Sequence, residues 1–233
     1  MGVPLTGYDG MLDRLIYERA RLSYSQSEMG SVVGISKSNY CKCEKGNRRI
    51  GFAELRRLSA HGVDINFVIT GKRLKRRELQ ELKDIDYGSA VGCYQIACSA
   101  SLINKDAFTK AKWQRISSYM KAGILYQASM SDINYWKLIR EICSITQPEM
   151  AQKIGVDVKK LRNMEYGRKR PDNEILFKLY TNLLISPAFI LRDPQGILCE
   201  LECFLYEIGD PIAENVLKLL NYTSVYDEKS TNS

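Results

Sequence analysis

Histidine is almost absent from this chain: there is one, His61, among 233 residues. An enzyme that uses histidine as a base or a metal ligand would have to rely on that residue, which precedes Gly62 at a predicted helix end and is expected to be a cap or surface residue. The sequence also lacks a Gly-rich phosphate loop, a His-Glu-x-x-His motif and a nucleophile elbow. We therefore expect no enzymatic activity and no cofactor.

Long apolar runs are missing as well. No stretch approaches the roughly 20 residues that span a bilayer, and the first residues do not combine a basic segment with an apolar core. The seven cysteines are odd in number, and reduced thiols explain them most simply. The spacing of Cys93, Cys98, Cys199 and Cys203 matches no standard zinc site. We expect a cytoplasmic protein with no membrane association and no bound metal.

What the sequence has is a moderate excess of positive charge. Lys and Arg number 34 against 27 Asp and Glu, which gives a formal charge of +7 and a pI near 9.0. Such an excess is compatible with a polyanionic partner without proving one. The length is enough for one or two domains.

An internal repeat organises the chain. Residues 25–58 align without gaps to residues 146–179, at an offset of 121. Nine of the 34 aligned pairs are identical: Gln26/Gln147, Glu28/Glu149, Met29/Met150, Gly34/Gly155, Glu44/Glu165, Gly46/Gly167, Arg49/Arg170, Leu55/Leu176 and Leu58/Leu179. The offset is too long for a solenoid, so we expect two separate domains of one fold.

Each copy carries the signals of two short helices joined by a tight turn. The first reads Ser25-Gln-Ser-Glu28 and the second Thr146-Gln-Pro-Glu149, and both are capping boxes that begin a helix. A glycine ends that helix in each copy. The next helix is predicted over 37–45 in the first copy and 158–166 in the second. A pair of this kind is a helix-turn-helix unit, whose second helix fits the major groove of DNA.

The segment from Ser25 to Ser36, followed by Tyr40, Glu44 and Gly46, resembles the lambda-repressor-like (Cro or Xre type) helix-turn-helix family. The segment from Thr146 to Asp157, followed by Leu161, Glu165, Gly167 and Arg-Pro at 170–171, is similar to the same pattern. The two matches cover about half of the chain, residues 12–71 and 133–192. The resemblance implies an all-α fold and sequence-specific binding of double-stranded DNA.

The resemblance also implies roles for individual residues. The glutamine that opens the second helix binds phosphate, residues on the third helix read bases, and cations beyond its closing glycine contact the DNA backbone. In this sequence these residues are Gln26, Ser36, Lys37, Ser38, Lys42, Asn47, Arg48 and Arg49 in the first copy, and Gln147, Asp157, Val158, Lys159, Asn163, Arg168, Lys169 and Arg170 in the second. Lysine can donate to guanine, and asparagine can pair with adenine.

Other interpretations of these residues remain open. Lys37, Lys42 and Lys45 are equally typical of a solvated helix face. Asp157 suits the N-terminus of a helix but repels phosphate, so the second copy is expected to bind DNA more weakly, to read other bases or to bind a protein. Glu44 and Glu165 are expected to pair with Arg19 and Arg140 within each copy.

We divide the chain into four segments. They are an N-terminal helix-turn-helix domain (1–71), a basic and partly helical connector (72–132), a second helix-turn-helix domain (133–192), and C-terminal helices with a disordered tail (193–233). The connector opens with five cations in residues 72–77, which suit either nucleic acid or solvent. Helices are predicted near 79–85 and over 106–126, whereas 87–103 shows only small and polar residues with scattered apolar ones.

The function expected from this sequence is transcriptional regulation of phage or prophage type, most often repression. One alternative is an interaction protein, an antitoxin or antirepressor, that binds a protein partner through its second domain. Another is a DNA-binding protein of replication or partition. A single chain with two copies suits a bipartite site, and a homodimer would offer four reading helices; the sequence leaves both open.

Overall fold

The computed structural model of the protein describes residues 7–82, 84–130 and 134–220. Within these ranges the regular structure is helical and no strand is present, which confirms the all-α prediction. No helix in the same ranges has both the length and the apolar character to cross a membrane. The predicted disordered tail at 227–233 lies outside the described residues.

The helices follow one another with short connections. They are α1 Gly7–Arg21, α2 Gln26–Val33, α3 Lys37–Glu44, α4 Phe52–Ala60, α5 Ile65–Thr70, α6 Arg77–Gln80, α7 Tyr87–Ile103, α8 Lys110–Ala128, α9 Tyr135–Cys143, α10 Gln147–Ile154, α11 Val158–Glu165, α12 Asn173–Leu183, α13 Ala188–Leu191 and α14 Pro194–Ile208. A 3₁₀ turn spans Lys105–Ala107, and residues 212–220 are helical up to the last described residue.

The chain forms two compact units. Unit 1 combines the residues up to Arg73 with Asn134–Pro187, and unit 2 combines the segment from Leu74 to Ile133 with the chain from Ala188 onward. The expectation of two separate domains therefore differs from the structure, in which both repeat copies belong to unit 1. The physical reason is that α12 of the second copy packs against α1 and α5 of the first.

The repeat is visible in the helices of unit 1. The same offset of 121 residues maps the bounds of α2 onto α10, those of α3 onto α11, and the first residue of α4 onto that of α12. The identical apolar residues occupy equivalent core positions: Met29, Leu55 and Leu58 in one copy and Met150, Leu176 and Leu179 in the other are at most 1% exposed. The shared apolar pattern therefore fixes the same packing twice.

The turn between the two short helices is built by the predicted local devices. Ser25 and Thr146 each accept from the N–H three residues on, and the glutamates at those positions complete both capping boxes. Gly34 and Gly155 end α2 and α10 at φ values of 77° and 70°, a left-handed conformation that glycine adopts without strain. These predictions of helix starts and stops are confirmed.

Unit 2 is a bundle in which α14 packs on both α7 and α8. The sequence predicts no helix over 87–103, yet α7 covers all of it. Its buried Ala90, Ala97 and Cys98 are small, so the helix packs closely without showing an obvious apolar stripe. The ring of Phe204 on α14 stacks on Tyr119 of α8, with centroids 5.2 Å apart.

The cationic segment at 72–77 is partly anchored by carboxylates. The guanidinium of Arg73 forms an ion pair with the fully buried Glu18 within unit 1. Within unit 2, Glu202 accepts the backbone N–H of Lys75 at 2.9 Å. These contacts favour a structural role for the start of the predicted connector over that of a free basic tether.

Candidate nucleic-acid interface

Each copy contains the same partly buried cluster of an arginine, a glutamate and a glutamine. In the first copy, Glu44 accepts from Arg19 Nε at 2.6 Å and from Gln26 Nε2 at 2.7 Å. In the second, Glu165 accepts from Arg140 Nε at 2.7 Å and from Gln147 Nε2. The predicted pairing of both glutamates with the arginines is confirmed.

This cluster fixes the third helix against the two helices before it. Glu44 lies at the end of α3, Gln26 at the start of α2 and Arg19 on α1, so the cluster joins all three elements. The hydrogen bond with Glu44 raises the pKa of Arg19 despite its partial burial. The amides of Gln26 and Gln147, assigned to phosphate by resemblance, thus hold the position of α3 and α11.

The opposite face of α3 is open to solvent. Lys37, Ser38, Lys42 and Lys45 are exposed, while Tyr40 is buried. None of these three lysines has a carboxylate within 4.0 Å among the described residues. The first copy therefore presents a helix with three unpaired ammonium groups and a hydroxyl.

The open face of α11 carries a different set of side chains. Lys159 is exposed, Val158 and Asn163 are half-exposed, and Leu161 is fully buried. The face offers an ammonium donor and an amide that both donates and accepts. The two copies share a scaffold, but they do not present the same chemical surface.

The N-terminal residues of both helices act as caps. Ser36 Oγ accepts from the N–H of Asn39 at 3.3 Å, and an Asp157 carboxylate oxygen accepts from the N–H of Lys160 at 2.6 Å. Both capping residues are exposed. Asp157 is thus held at its own helix terminus, where the helix dipole favours its negative charge.

In the first copy, the two arginines beyond the closing glycine are bound within the protein. Arg48 donates to both carboxylate oxygens of Glu54, at 3.0 and 2.6 Å, and to Cys43 Sγ at 3.2 Å. Arg49 pairs with Glu174 at 2.7 Å and Asp172 at 3.5 Å. Of the three predicted backbone contacts here, only Asn47 is exposed without an ion pair in the described chain.

Of the corresponding cations of the second copy, Arg168 and Lys169 are open to solvent, whereas the Arg170 guanidinium lies 5.6 Å from the ring centre of Phe52. Arg168, Lys169 and Arg170 are exposed, and in the described part of the chain no carboxylate lies within 4.0 Å of them. The Arg168 guanidinium lies 5.2 Å from the ring centre of Tyr166, a cation–π distance. The second copy therefore keeps Arg168 and Lys169 available, whereas Arg48 and Arg49 of the first copy are bound to carboxylates.

Three residues at these faces are absent from the predicted set. Arg162 and Tyr166 are exposed on α11 and just beyond its end, and Asn39 is exposed on α3. Residues 159, 162, 163 and 166 follow the i, i+3, i+4, i+7 spacing of one helix face. That spacing was available in the sequence and would have added Arg162 and Tyr166.

The cysteines near this surface differ in exposure. Cys43 is buried against Arg48, and burial raises the pKa of its thiol even though Arg48 opposes the shift. Cys41 is half-exposed on α3. Across the residues that the structure describes, no three His, Cys, Asp or Glu side chains are grouped so as to hold a metal ion. His61 ends α4 as an exposed cap, with Nδ1 2.9 Å from the carbonyl oxygen of Arg57, as predicted.

No family model, no curated protein and no solved structure matches this chain.

Proposed function

We propose that this protein is a sequence-specific double-stranded DNA-binding transcriptional regulator, and that it represses by occupying a promoter. The observation that carries the proposal is the repetition of one device. Each copy has a pair of eight-residue helices joined by the same turn and held by the same partly buried arginine–glutamate–glutamine cluster. In each copy one face of the second helix is open. In both copies that face carries hydrogen-bond donors at equivalent positions, Ser38 and Lys42 on α3 and Lys159 and Asn163 on α11.

The chemistry of the open faces supports DNA as the partner. An exposed α-helix has the width of the major groove, where guanine offers two acceptors and adenine offers one donor and one acceptor. Lys37 and Lys42 of α3 supply donors suited to guanine or phosphate. Asn163 of α11 supplies the paired donor and acceptor suited to adenine.

The distribution of unpaired cations extends this surface beyond the helices. The cation Lys45 follows the open face of α3, and Arg168 and Lys169 follow that of α11. Donors in these positions would neutralise phosphates and make binding dependent on salt. Because Arg48 and Arg49 are occupied by carboxylates, we assign them to the scaffold and not to DNA contact.

The proposal is tested by fluorescence anisotropy with the DNA that flanks the gene of this protein and with an unrelated duplex, at several salt concentrations. Two double variants, Lys37→Ala/Lys42→Ala and Lys159→Ala/Asn163→Ala, remove exposed groups from α3 and α11. The double variant Lys121→Ala/Lys218→Ala removes the same kind of exposed charge from unit 2 and serves as the control.

We expect tight binding to the flanking DNA and a loss of about 100-fold in affinity for each interface variant, since a good base contact is worth roughly 1–3 kcal/mol. The control should change affinity less than threefold. A reporter fused to the same flanking DNA should be repressed by the wild-type protein only. Equally weak and steeply salt-dependent binding to both duplexes would reduce the interaction to charge alone and contradict the proposal.

A further inference from the structure

The two repeat copies are joined directly within unit 1 by the segments that follow α3 and α11. The N–H of Asn173 donates to the carbonyl oxygen of Ile50 at 3.0 Å, and the N–H of Ile50 donates to Oδ1 of Asn173 at 2.9 Å. The side-chain NH₂ of Asn173 also donates to the Tyr8 hydroxyl at 3.2 Å. Ile50 and Asn173 are both buried, so these hydrogen bonds are shielded from water.

Two arginines at equivalent positions reach across this junction in opposite directions. Arg49 pairs with Asp172 and Glu174 at the start of α12, and the guanidinium of Arg170 lies 5.6 Å from the ring centre of Phe52, the first residue of α4. Arg49, which precedes α4, thus contacts the start of α12, and Arg170, which precedes α12, contacts the start of α4. The two contacts occupy similar places in the two copies but differ in chemistry, one being an ion pair and the other a cation–π contact.

The junction extends along α12 through aromatic contacts. Tyr8 on α1 meets Phe177 edge-on, with ring centroids 5.8 Å apart. The ammonium group of Lys72, just beyond α5, lies 5.4 Å from the ring centre of Tyr180. Hydrogen bonds, ion pairs and aromatic contacts together hold the copies in one arrangement, unlike two domains on a flexible tether.

This junction limits the separation of α3 and α11. Ile50 lies six positions after Glu44, and Asn173 lies eight positions after Glu165. Fully extended, the two segments would span about 50 Å in total, and backbone hydrogen bonds from residues 47, 48, 168 and 169 fold both back onto their helices. One turn of B-form DNA, about 34 Å, lies within that limit.

We infer that a single chain binds one duplex with both copies at once, and that α3 and α11 read two unlike half-sites about one helical turn apart. The inference rests on the proposed function. The half-sites differ because the open faces differ: Ser38 and Lys42 on α3 correspond to Lys159 and Asn163 on α11. The operator is therefore asymmetric, whereas two identical chains in a twofold dimer favour a palindrome.

Joining the copies increases affinity without any new contact. Once the first copy is bound, the second meets its half-site as an intramolecular event, which typically raises affinity 10²–10⁴-fold over a single module. Because the junction fixes the copies relative to each other, this increase in affinity is expected at only one spacing of the half-sites. Changing the separation of the half-sites should therefore remove the contribution of the second copy.

The test begins with duplexes that the full-length protein selects from a random pool. Native mass spectrometry gives the number of 26.6 kDa chains per duplex, and anisotropy gives the affinity for duplexes with 5 or 10 base pairs inserted between the half-sites. The variant Arg49→Gln weakens the junction at a half-exposed ion pair, and Arg56→Gln on the exposed side of α4 is its matched control.

We expect one chain per duplex, an asymmetric site, and at least 100-fold loss of affinity for either insertion. In Arg49→Gln, the affinities for the selected duplex and for the duplex with 10 inserted base pairs should differ less than they do in the wild type. In Arg56→Gln, this difference should be the same as in the wild type. Two chains on a palindromic site, or indifference to spacing, would overturn this inference and leave the proposed function standing. Failure to select any sequence would overturn the proposed function itself.

Discussion

The partly buried arginine–glutamate–glutamine cluster gives the sharpest prediction about the fold. Replacing Glu44 by alanine leaves Arg19 without its carboxylate and Gln26 without its acceptor. The side chain of Glu44 is 4% exposed and that of Arg19 is 18% exposed. Removing one partner of a buried ion pair costs about 3–5 kcal/mol. Because Arg19 retains some water and its hydrogen bond to the Tyr24 carbonyl, we expect about 2–4 kcal/mol here.

The same change in the second copy, Glu165→Ala, provides an internal comparison. Its carboxylate is 7% exposed and its arginine 17% exposed, so the expected loss is similar. The control is Glu141→Ala, which removes an exposed carboxylate 3.7 Å from Lys137. A surface pair of that kind contributes at most about 0.5–1 kcal/mol.

The assay is thermal unfolding followed by circular dichroism. With roughly 4 °C per kcal/mol for a domain of this size, Glu44→Ala and Glu165→Ala should each lower the Tm of the same transition by about 8–16 °C. Glu141→Ala should shift it by less than about 4 °C. The reasoning is refuted if Glu44→Ala is no more harmful than Glu141→Ala, or if the two cluster variants affect two separate transitions.

Three further predictions concern charge and thiol chemistry. Burial raises the pKa of Glu54, but the hydrogen bond from Arg48 brings that pKa below its ordinary 4.5. The stability that the Arg48–Glu54 pair contributes is therefore present above pH 4.5 and is lost as the pH falls through the depressed pKa. In an acid titration, the stability of Glu54→Gln should depend less on pH than that of the wild type, and an unchanged pH dependence would contradict a stabilising pair. Burial raises the pKa of Cys98 to about 12. Iodoacetamide at pH 8 should therefore modify half-exposed Cys41 well before Cys98. Equal rates of modification at the two cysteines would contradict the burial of Cys98. Asp157→Asn keeps the cap but removes a negative charge, so DNA affinity should rise a few-fold with little change in Tm, and a weaker complex would show that the carboxylate contacts a base.

The parts of the fold that the sequence predicted are those stabilised by near neighbours. The capping boxes at Ser25 and Thr146 and the left-handed Gly34 and Gly155 depend on residues at most a few positions away. The repeat itself also predicted the pairing of Glu44 with Arg19, because both residues recur at the same offset. Local hydrogen bonds and repeated patterns are visible along a single chain.

The parts that escaped prediction depend on distant residues. Arg49 looked like a cation facing DNA because its partners on α12 lie more than 120 positions away in sequence. α7 escaped because its small side chains pack tightly against other helices without an apolar stripe. Both copies belong to one unit because α12 packs against α1 and α5. No local sequence pattern predicts these contacts.

The most direct test of DNA binding by the open faces of α3 and α11 is lysine acetylation of the full-length protein with and without its selected duplex, read by mass spectrometry. We predict that the duplex protects Lys37, Lys42 and Lys159, while the exposed Lys121 and Lys218 of unit 2 react equally in both states. Protection confined to unit 2, or unchanged reactivity at all three interface lysines in a saturated complex, would contradict the account.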